Sequence, residues 1–453
     1  MTSTRRLQAG TLLVTCAVLL AIWPLPDTMA LRHLMLLLGT SAAMALLCKD
    51  GALRTPRSAW PAYLLLVFFA WLLFHYLVLA ANPAAQWREL TGDWLRTFLA
   101  SLMGLGLGYL LSKRAPQQDG DAAGRSTLWL IMGLSGTVVI YNIRYLYEVY
   151  STGQWIHKNF FMAPYLGKTA LVIFGSLFVP VLFIKVLHAV RGHARWIWYA
   201  WGLAGVSLTL AAYYFANTKN GFAIFTLLLL LFFCKLLYQQ QQPALSAKTY
   251  ATVALCLLVA GIAMKQHLAS NPAWSNLIAD FKVSIQIDKN ANWKDRISPL
   301  PINENGHTVD GSTYERVSWG RAGLELLSEN LLGYGLINHS FGTLAKQKWP
   351  DYVRAPDASP GATHSGWLDF AVGLGLPGLL LVWTSLLVSY LRARRMQGFW
   401  AEYATWTIPT IAFAYLTTEV CTDHFIELLF FMCAWFCRLT LRPVKTASGA
   451  DAG

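Results

Sequence analysis

One histidine stands where it could do acid–base chemistry. His364 follows Thr363, a residue suited to cap a helix, and opens a long apolar stretch. A helix N-terminus carries partial positive charge, which disfavours an imidazolium there. A neutral imidazole at that position could accept a proton or a hydrogen bond at neutral pH. Residues that could orient it, or hold a hydroxyl, are Asp369 five positions on, His339 after Gly333-Tyr334-Gly335, and Glu419 and Asp423 between the last two apolar stretches. Cations form the second candidate group. Lys219 is the only charge in the turn Asn217-Thr218-Lys219-Asn220-Gly221, Arg144 closes an apolar stretch, and Arg316 and Arg321 lie on one helix. Those two arginines are about 140° apart around the helix, so both reach one pocket only after a local adjustment. Fixed cations of this kind bind anions. Contact with lipid headgroups is the plainer reading of any one of them.

Metal chemistry has little support. The sequence holds no HExxH, no paired CxxC and no cluster of His with carboxylates at ligand spacing, so neither a metal nor another cofactor is expected. Asp119-Gly120-Asp121 has the form that holds a metal-bound nucleotide sugar, but one such triplet arises by chance in a chain of this length. No Walker loop is present. Cys16, Cys48, Cys234, Cys256, Cys433 and Cys437 lie in or beside apolar runs and read as small buried side chains rather than a disulfide framework.

The elements that must position these residues are membrane helices. Of 453 residues, 55% are hydrophobic and 13% charged, against roughly 25% charged in a soluble domain. The apolar residues come in runs of about 20, the length that crosses about 30 Å of hydrocarbon. Twelve spans are expected, at about 8–23, 31–48, 60–81, 94–112, 127–146, 166–188, 196–216, 221–238, 249–265, 365–391, 402–418 and 424–441. Arg5 and Arg6 before an apolar run, with Thr28-Met29-Ala30 after it, imitate a signal peptide. Another span follows at once, so the first helix is expected to be retained.

Loop charges set the orientation. With twelve spans, Arg5, Arg57, Arg125, Arg191, Arg195, Lys248, Arg394 and Lys445 all fall on one face. That face is cytoplasmic, as are both termini. The bias accounts for much of the net charge of +13 without a nucleic-acid partner. The chain therefore reads as an all-α integral membrane protein with about 12 transmembrane helices: nine in 1–265, a large, partly helical periplasmic loop at 266–363, three helices in 364–441, and a cytoplasmic tail at 442–453. The loop's best helix begins at Ser312-Thr313-Tyr314-Glu315, which reads as a capping box. It is expected to stop near Gly333.

His364-Ser365, nine residues, then Gly375-Leu376-Pro377-Gly378 resembles the O-antigen ligase pattern of His, a small polar residue, nine positions and Gly-x-x-Gly. Arg316, Trp319 and Gly333-Tyr334-Gly335 are similar to a second feature of that family, and Thr218-Lys219 to a third, where Arg is commoner than Lys. The resemblance implies a glycosyltransferase-C-like membrane fold. It also implies transfer of an O-antigen glycan from undecaprenyl diphosphate to lipid A–core oligosaccharide at the periplasmic face of a bacterial inner membrane. Arg316 and Lys219, helped by Arg321 and Arg144, would hold the diphosphate in place of a metal. His364 would activate the acceptor hydroxyl for inverting displacement, or donate a hydrogen bond to the diphosphate. O-antigen polymerases and protein O-oligosaccharyltransferases share the superfamily. A transporter for a lipid-linked sugar would also have many spans and an outer cationic cleft.

Overall fold

Inside a bilayer a chain must satisfy its own backbone N–H and C=O groups, which favours helices throughout the apolar runs. The computed structural model describes residues 3–49, 60–114, 121–154, 166–190, 196–239, 276–295, 298–335, 337–338, 340–352, 361–420 and 424–441, with a few positions between 254 and 268. The helices are α1 (Ser3–Ile22), α2 (Met29–Lys49), α3 (Trp60–Phe74), α4 (Pro83–Glu89), α5 (Leu95–Arg114), α6 (Asp121–Thr152), α7 (Lys168–Val190), α8 (Trp196–Phe215) and α9 (Lys219–Gln239). After them come α10 (Leu277–Ser284), α11 (Asn292–Asp295), α12 (Gly311–Glu329), α13 (Ser340–Lys348), α14 (Gly366–Ala393), α15 (Phe399–Ala414) and α16 (Phe425–Leu439). The described residues contain no strand, only an isolated bridge between Ile302 and Thr308.

Among the described residues, seven helices are long and apolar enough to cross a membrane: Ser3–Ile22, Met29–Lys49, Trp60–Leu79, Pro83–Lys113, Thr127–Thr152, Lys168–His188 and Gly366–Ala393. Ala200–Phe215 and Lys219–Phe232 are shorter apolar helices. The expected span at 249–265 lies largely outside the described residues. Three helices start at least five residues earlier than expected, α6 among them at Asp121. α1 begins at Ser3, and the fourth span begins at Pro83, because Asn82 caps it by accepting the Ala85 N–H at 3.1 Å. That span passes through a π turn at Leu90–Trp94, and α3 ends in another at His75–Leu79.

The centre of the bundle is α16, buried on nearly every side, as expected of a helix apolar all round. It lies closely along α5. A Cβ on Gly104 or Gly108 would strike the backbone oxygens of Phe431 or Trp435, and one on Gly106 would strike Ala43 of α2. Small residues thus let three helices approach backbone to backbone. Cys16, Cys433 and Cys437 are buried as expected, but Cys48 is exposed. It falls on the uncovered face of α2 with Leu34, Leu38 and Ser41.

The segment between α9 and α14 has a small core of its own. Trp293 and Trp319 sit in it with Tyr314, Phe341 and Tyr352, and Val372 of α14 joins them. The indole N–H of Trp319 donates to the Trp293 carbonyl at 2.9 Å, and that of Trp293 to the Ile287 carbonyl at 2.8 Å.

Candidate functional site

The cations gather at the start of α12. Asp310, not Ser312, caps this helix. Its Oδ1 accepts the Thr313 N–H at 3.0 Å and the hydroxyls of Ser312 and Thr313 at 2.6 and 3.0 Å. A carboxylate outcompetes a hydroxyl for the cap because its hydrogen bonds are charge-assisted. Lys219, the first residue of α9, reaches across to the same oxygen at 3.1 Å and to the Ser312 hydroxyl at 3.5 Å. The left-handed Asn217 (φ 50°) makes the tight turn that aims it there. Arg316, one turn into α12, donates from Nη1 to the Ser312 carbonyl at 2.8 Å. Lys219 and Arg316 therefore converge on Ser312 from two separate helices. Burial works to raise the Asp310 carboxyl, but the Ser312 hydroxyl, the Lys219 ammonium and Thr313 outweigh it and hold the group at about 2. Burial pushes the Arg316 guanidinium below its ordinary value, and Glu419, Asp310 and Glu315 oppose that shift.

His364 stands beside this group, between two carboxylates. Its Nδ1 lies 2.5 Å from Glu419 Oε1, and its Nε2 lies 4.0 Å from Glu315 Oε2. The ring stacks on Trp319, with centroids 5.0 Å apart and planes at 21°. A carboxylate at Nδ1 holds the proton on that nitrogen and leaves Nε2 as the acceptor. Both side chains of the Glu419 pair are about a quarter exposed, so the site is open to a ligand.

His364 is not in the first turn of a helix. Ser365 is the N-cap of α14, and His364 precedes it in left-handed backbone, with φ 59°. Asp369 causes the difference. Its buried carboxylate accepts the Thr363 N–H at 2.8 Å and the Thr363 hydroxyl at 2.7 Å, which turns Thr363 away from the cap position. The helix-terminus argument for a neutral ring therefore gives way to a carboxylate–histidine pair. Asp369 shapes the turn that carries His364 and is itself sealed from solvent.

The other candidates stand apart. Arg321 faces Glu325, one turn along α12, at 3.7 Å. Arg144 pairs with Glu148 of its own helix and lies over the Tyr147 ring. His339 and Asp423 lie outside the described residues. Two residues at the site were not singled out for a role from the sequence. Glu315 reads there as a capping-box partner, whereas its carboxylate faces His364. Lys168 opens α7 close enough to Lys219 for their charges to repel; it resembles any interfacial lysine when read alone.

The two glycine motifs interlock. α14 breaks at Gly375, which takes φ 72° and ψ 177°. Into that break fits Gly333-Tyr334-Gly335. The Tyr334 N–H donates to Val372 O at 2.9 Å, Gly335 N–H to Gly373 O at 2.6 Å, and Leu376 N–H to Leu331 O at 2.9 Å. A Cβ on Gly333 would strike the Gly375 nitrogen, and one on Gly375 would strike the Leu332 carbonyl group. Gly333 is thus not the residue that ends α12, which stops at Glu329 with Asn330 as its cap. The positive φ of Gly333 serves the clasp, and the clasp fixes the segment bearing Arg316 to the helix that follows His364.

Fold and site together define a multi-pass α-helical membrane protein with a cationic, histidine-centred site built where its apolar helices meet a separately packed segment. Residues 204–383 match the family model described as O-antigen ligase. The matched region carries Lys219, Arg316, His364 and both glycine motifs, and stops short of Glu419. No curated protein matches the chain.

Proposed function

We propose that the protein is an O-antigen ligase, a glycosyltransferase that moves a glycan from undecaprenyl diphosphate to a sugar hydroxyl of lipid A–core oligosaccharide. The observation that carries this reading is the convergence of Lys219 and Arg316 beside the Glu419–His364 pair. A lipid diphosphate gains negative charge as it leaves. Fixed cations aimed at that charge stabilise the transition state without a metal. His364 Nε2 takes the proton from the acceptor hydroxyl as its oxygen attacks the anomeric carbon. The bond from that carbon to the diphosphate breaks, and the configuration inverts. Glu419 holds the imidazole in the productive tautomer and stabilises the imidazolium that forms. The positive-inside pattern supports a site on the periplasmic side of a bacterial inner membrane, where both amphiphilic substrates would be reachable.

The test is transfer by purified protein in detergent, with no nucleotide and no ion gradient. Lipid A–core, a lipid-linked repeating unit and a pilin-like protein are offered as separate acceptors. Product on lipid A–core is expected. Product only on the second or third acceptor would make the chain a polymerase or a protein glycosyltransferase. His364→Gln should lose about 10²–10⁴-fold in rate while still binding the donor. Near-normal transfer by that variant would remove the base role, and lost donor binding would make His364 a diphosphate ligand.

A further inference from the structure

A second polar centre lies across the same stretch of chain. A cavity of about 120 Å³ is lined by Glu89, Asp93, Arg96, Asn338, His424 and Glu427, with apolar walls that include Trp94 and Val420. At about 30 Å³ per liquid water, it has room for about four waters or part of one sugar ring. Its walls are tightly held. Glu89 accepts the backbone N–H groups of Ile337 and Asn338 at 3.1 and 2.9 Å. Arg96 binds Asp93 and reaches Glu427 Oε1 at 2.9 Å, and His424 Nδ1 lies 3.0 Å from that same oxygen.

What the walls leave unused defines the ligand. Glu427 is 2% exposed, and its Oε2 has no partner among the described residues. The buried Oδ1 of Asn338 has none either. His424 Nε2 and Arg96 Nη1 are also left over among the described residues. The cavity thus offers three acceptors and the two N–H groups of one guanidinium nitrogen, which suits hydroxyl groups that both donate and accept. Arg96 is already shared by Asp93 and Glu427, and Glu89 adds a third acid to the lining, which does not suit a phosphate. The described residues hold no group of ligating side chains suited to a metal ion.

The cavity's position says which sugar. Along the chain after α15, Thr417 O accepts the Asn220 amide at 3.2 Å, next to Lys219. Glu419 meets His364, and Val420 lines the cavity. A Cβ on Gly366, two residues after His364, would touch the Val420 side chain at 3.2 Å. The order is cations, then histidine, then cavity. Inverting displacement needs the nucleophile on the opposite side of the anomeric carbon from the leaving group. We propose that this cavity is the acceptor-sugar subsite, in which Glu427, Asn338 and Arg96 bind hydroxyls of a neutral pyranose and present a neighbouring hydroxyl to His364.

The inference rests on the ligase reading. Its test is initial-rate kinetics with purified lipid A–core and lipid-linked donor varied separately, for the unaltered chain, Glu427→Gln and Asn338→Ala. The acceptor KM should rise about tenfold or more in Glu427→Gln, the size of one hydrogen bond to a charged group. A smaller rise is expected in Asn338→Ala. Donor KM and kcat should stay within about twofold. Asn338→Ala keeps the backbone N–H that Glu89 holds, so it decides the matter if Glu427→Gln does not fold. A rise in donor KM instead would overturn the assignment and give the cavity to the donor glycan. Unchanged constants with lowered melting would reduce the centre to an ion-pair network. If the unaltered chain transfers nothing to lipid A–core, the ligase reading fails and this inference falls with it. If it does transfer and acceptor KM does not move, only the inference fails.

Discussion

Replacing Glu419 by Gln tests the heart of the site with almost no change in shape. Glu419 Oε1 lies 2.5 Å from His364 Nδ1, so an imidazolium formed during the reaction would have its charge about 4 Å from the carboxylate centre. At an effective dielectric of about 20, that pair is worth about 4 kcal/mol. Both side chains are about a quarter exposed, and water screens part of this. About 2–3 kcal/mol remains, or a loss of about 30- to 160-fold in kcat. The charge appears only as the proton is transferred, so the loss should fall on kcat and not on either KM. The assay is steady-state transfer with both substrates saturating, alongside thermal melting in detergent to show that folding is intact. A kcat within about threefold of the unaltered chain, with normal melting, would refute the dyad. A rise in donor KM at constant kcat would assign Glu419 to tuning Arg316 instead.

Other perturbations separate the remaining parts. Arg316→Lys keeps a charge but loses the planar fork that grips two phosphate oxygens, so activity should fall at least tenfold with normal membrane insertion; Lys219→Arg should be better tolerated, and silence of both together with their alanine counterparts in a transfer assay would remove the diphosphate role. Gly375→Ala puts a Cβ against the Leu332 carbonyl at φ 72°, so it should lower the melting temperature and the yield of folded protein, as measured by detergent gel filtration. Asp310 is held at about 2, below its ordinary 3.8, so its contribution to stability is present above about pH 4 and is lost as pH falls towards 2. Melting in that window should drop more for the unaltered chain than for Asp310→Asn, and equal slopes would contradict the pairing with Lys219.

The helices were readable because membrane helices advertise themselves by composition. Lys219 and His364 were readable as candidates because each is a polar residue at the end of an apolar run, and Arg316 because it is a cation on the loop's best helix. Local competition was harder to see. Ser312 and Asp310 both suit a cap, and only the folded arrangement shows one carboxylate collecting three local hydrogen bonds and a lysine. In the same way, Asp369 draws Thr363 off the cap and sets His364 in left-handed backbone. The cavity was not readable at all. Arg96, Asn338 and Glu427 belong to three distant stretches, and each alone resembles an ordinary interfacial polar residue. Packing of α5 against α16, through glycines that look merely apolar in sequence, is what brings two of them together.

The hydrogen bonds that cross the clasp, from Leu331-to-Gly335 to the break at Gly375, run between peptide groups. Peptide groups are the same whatever residue carries them. Leu331 and Leu332, which supply carbonyls to the junction, are about half exposed and bury little of themselves there. A saturation library across this junction should therefore be permissive at Leu331 and Leu332 and empty at the three glycines. Divergent chains could keep the junction while sharing almost no other identity around it. Two short glycine signatures, far apart in sequence, would then persist or vanish as one inherited unit.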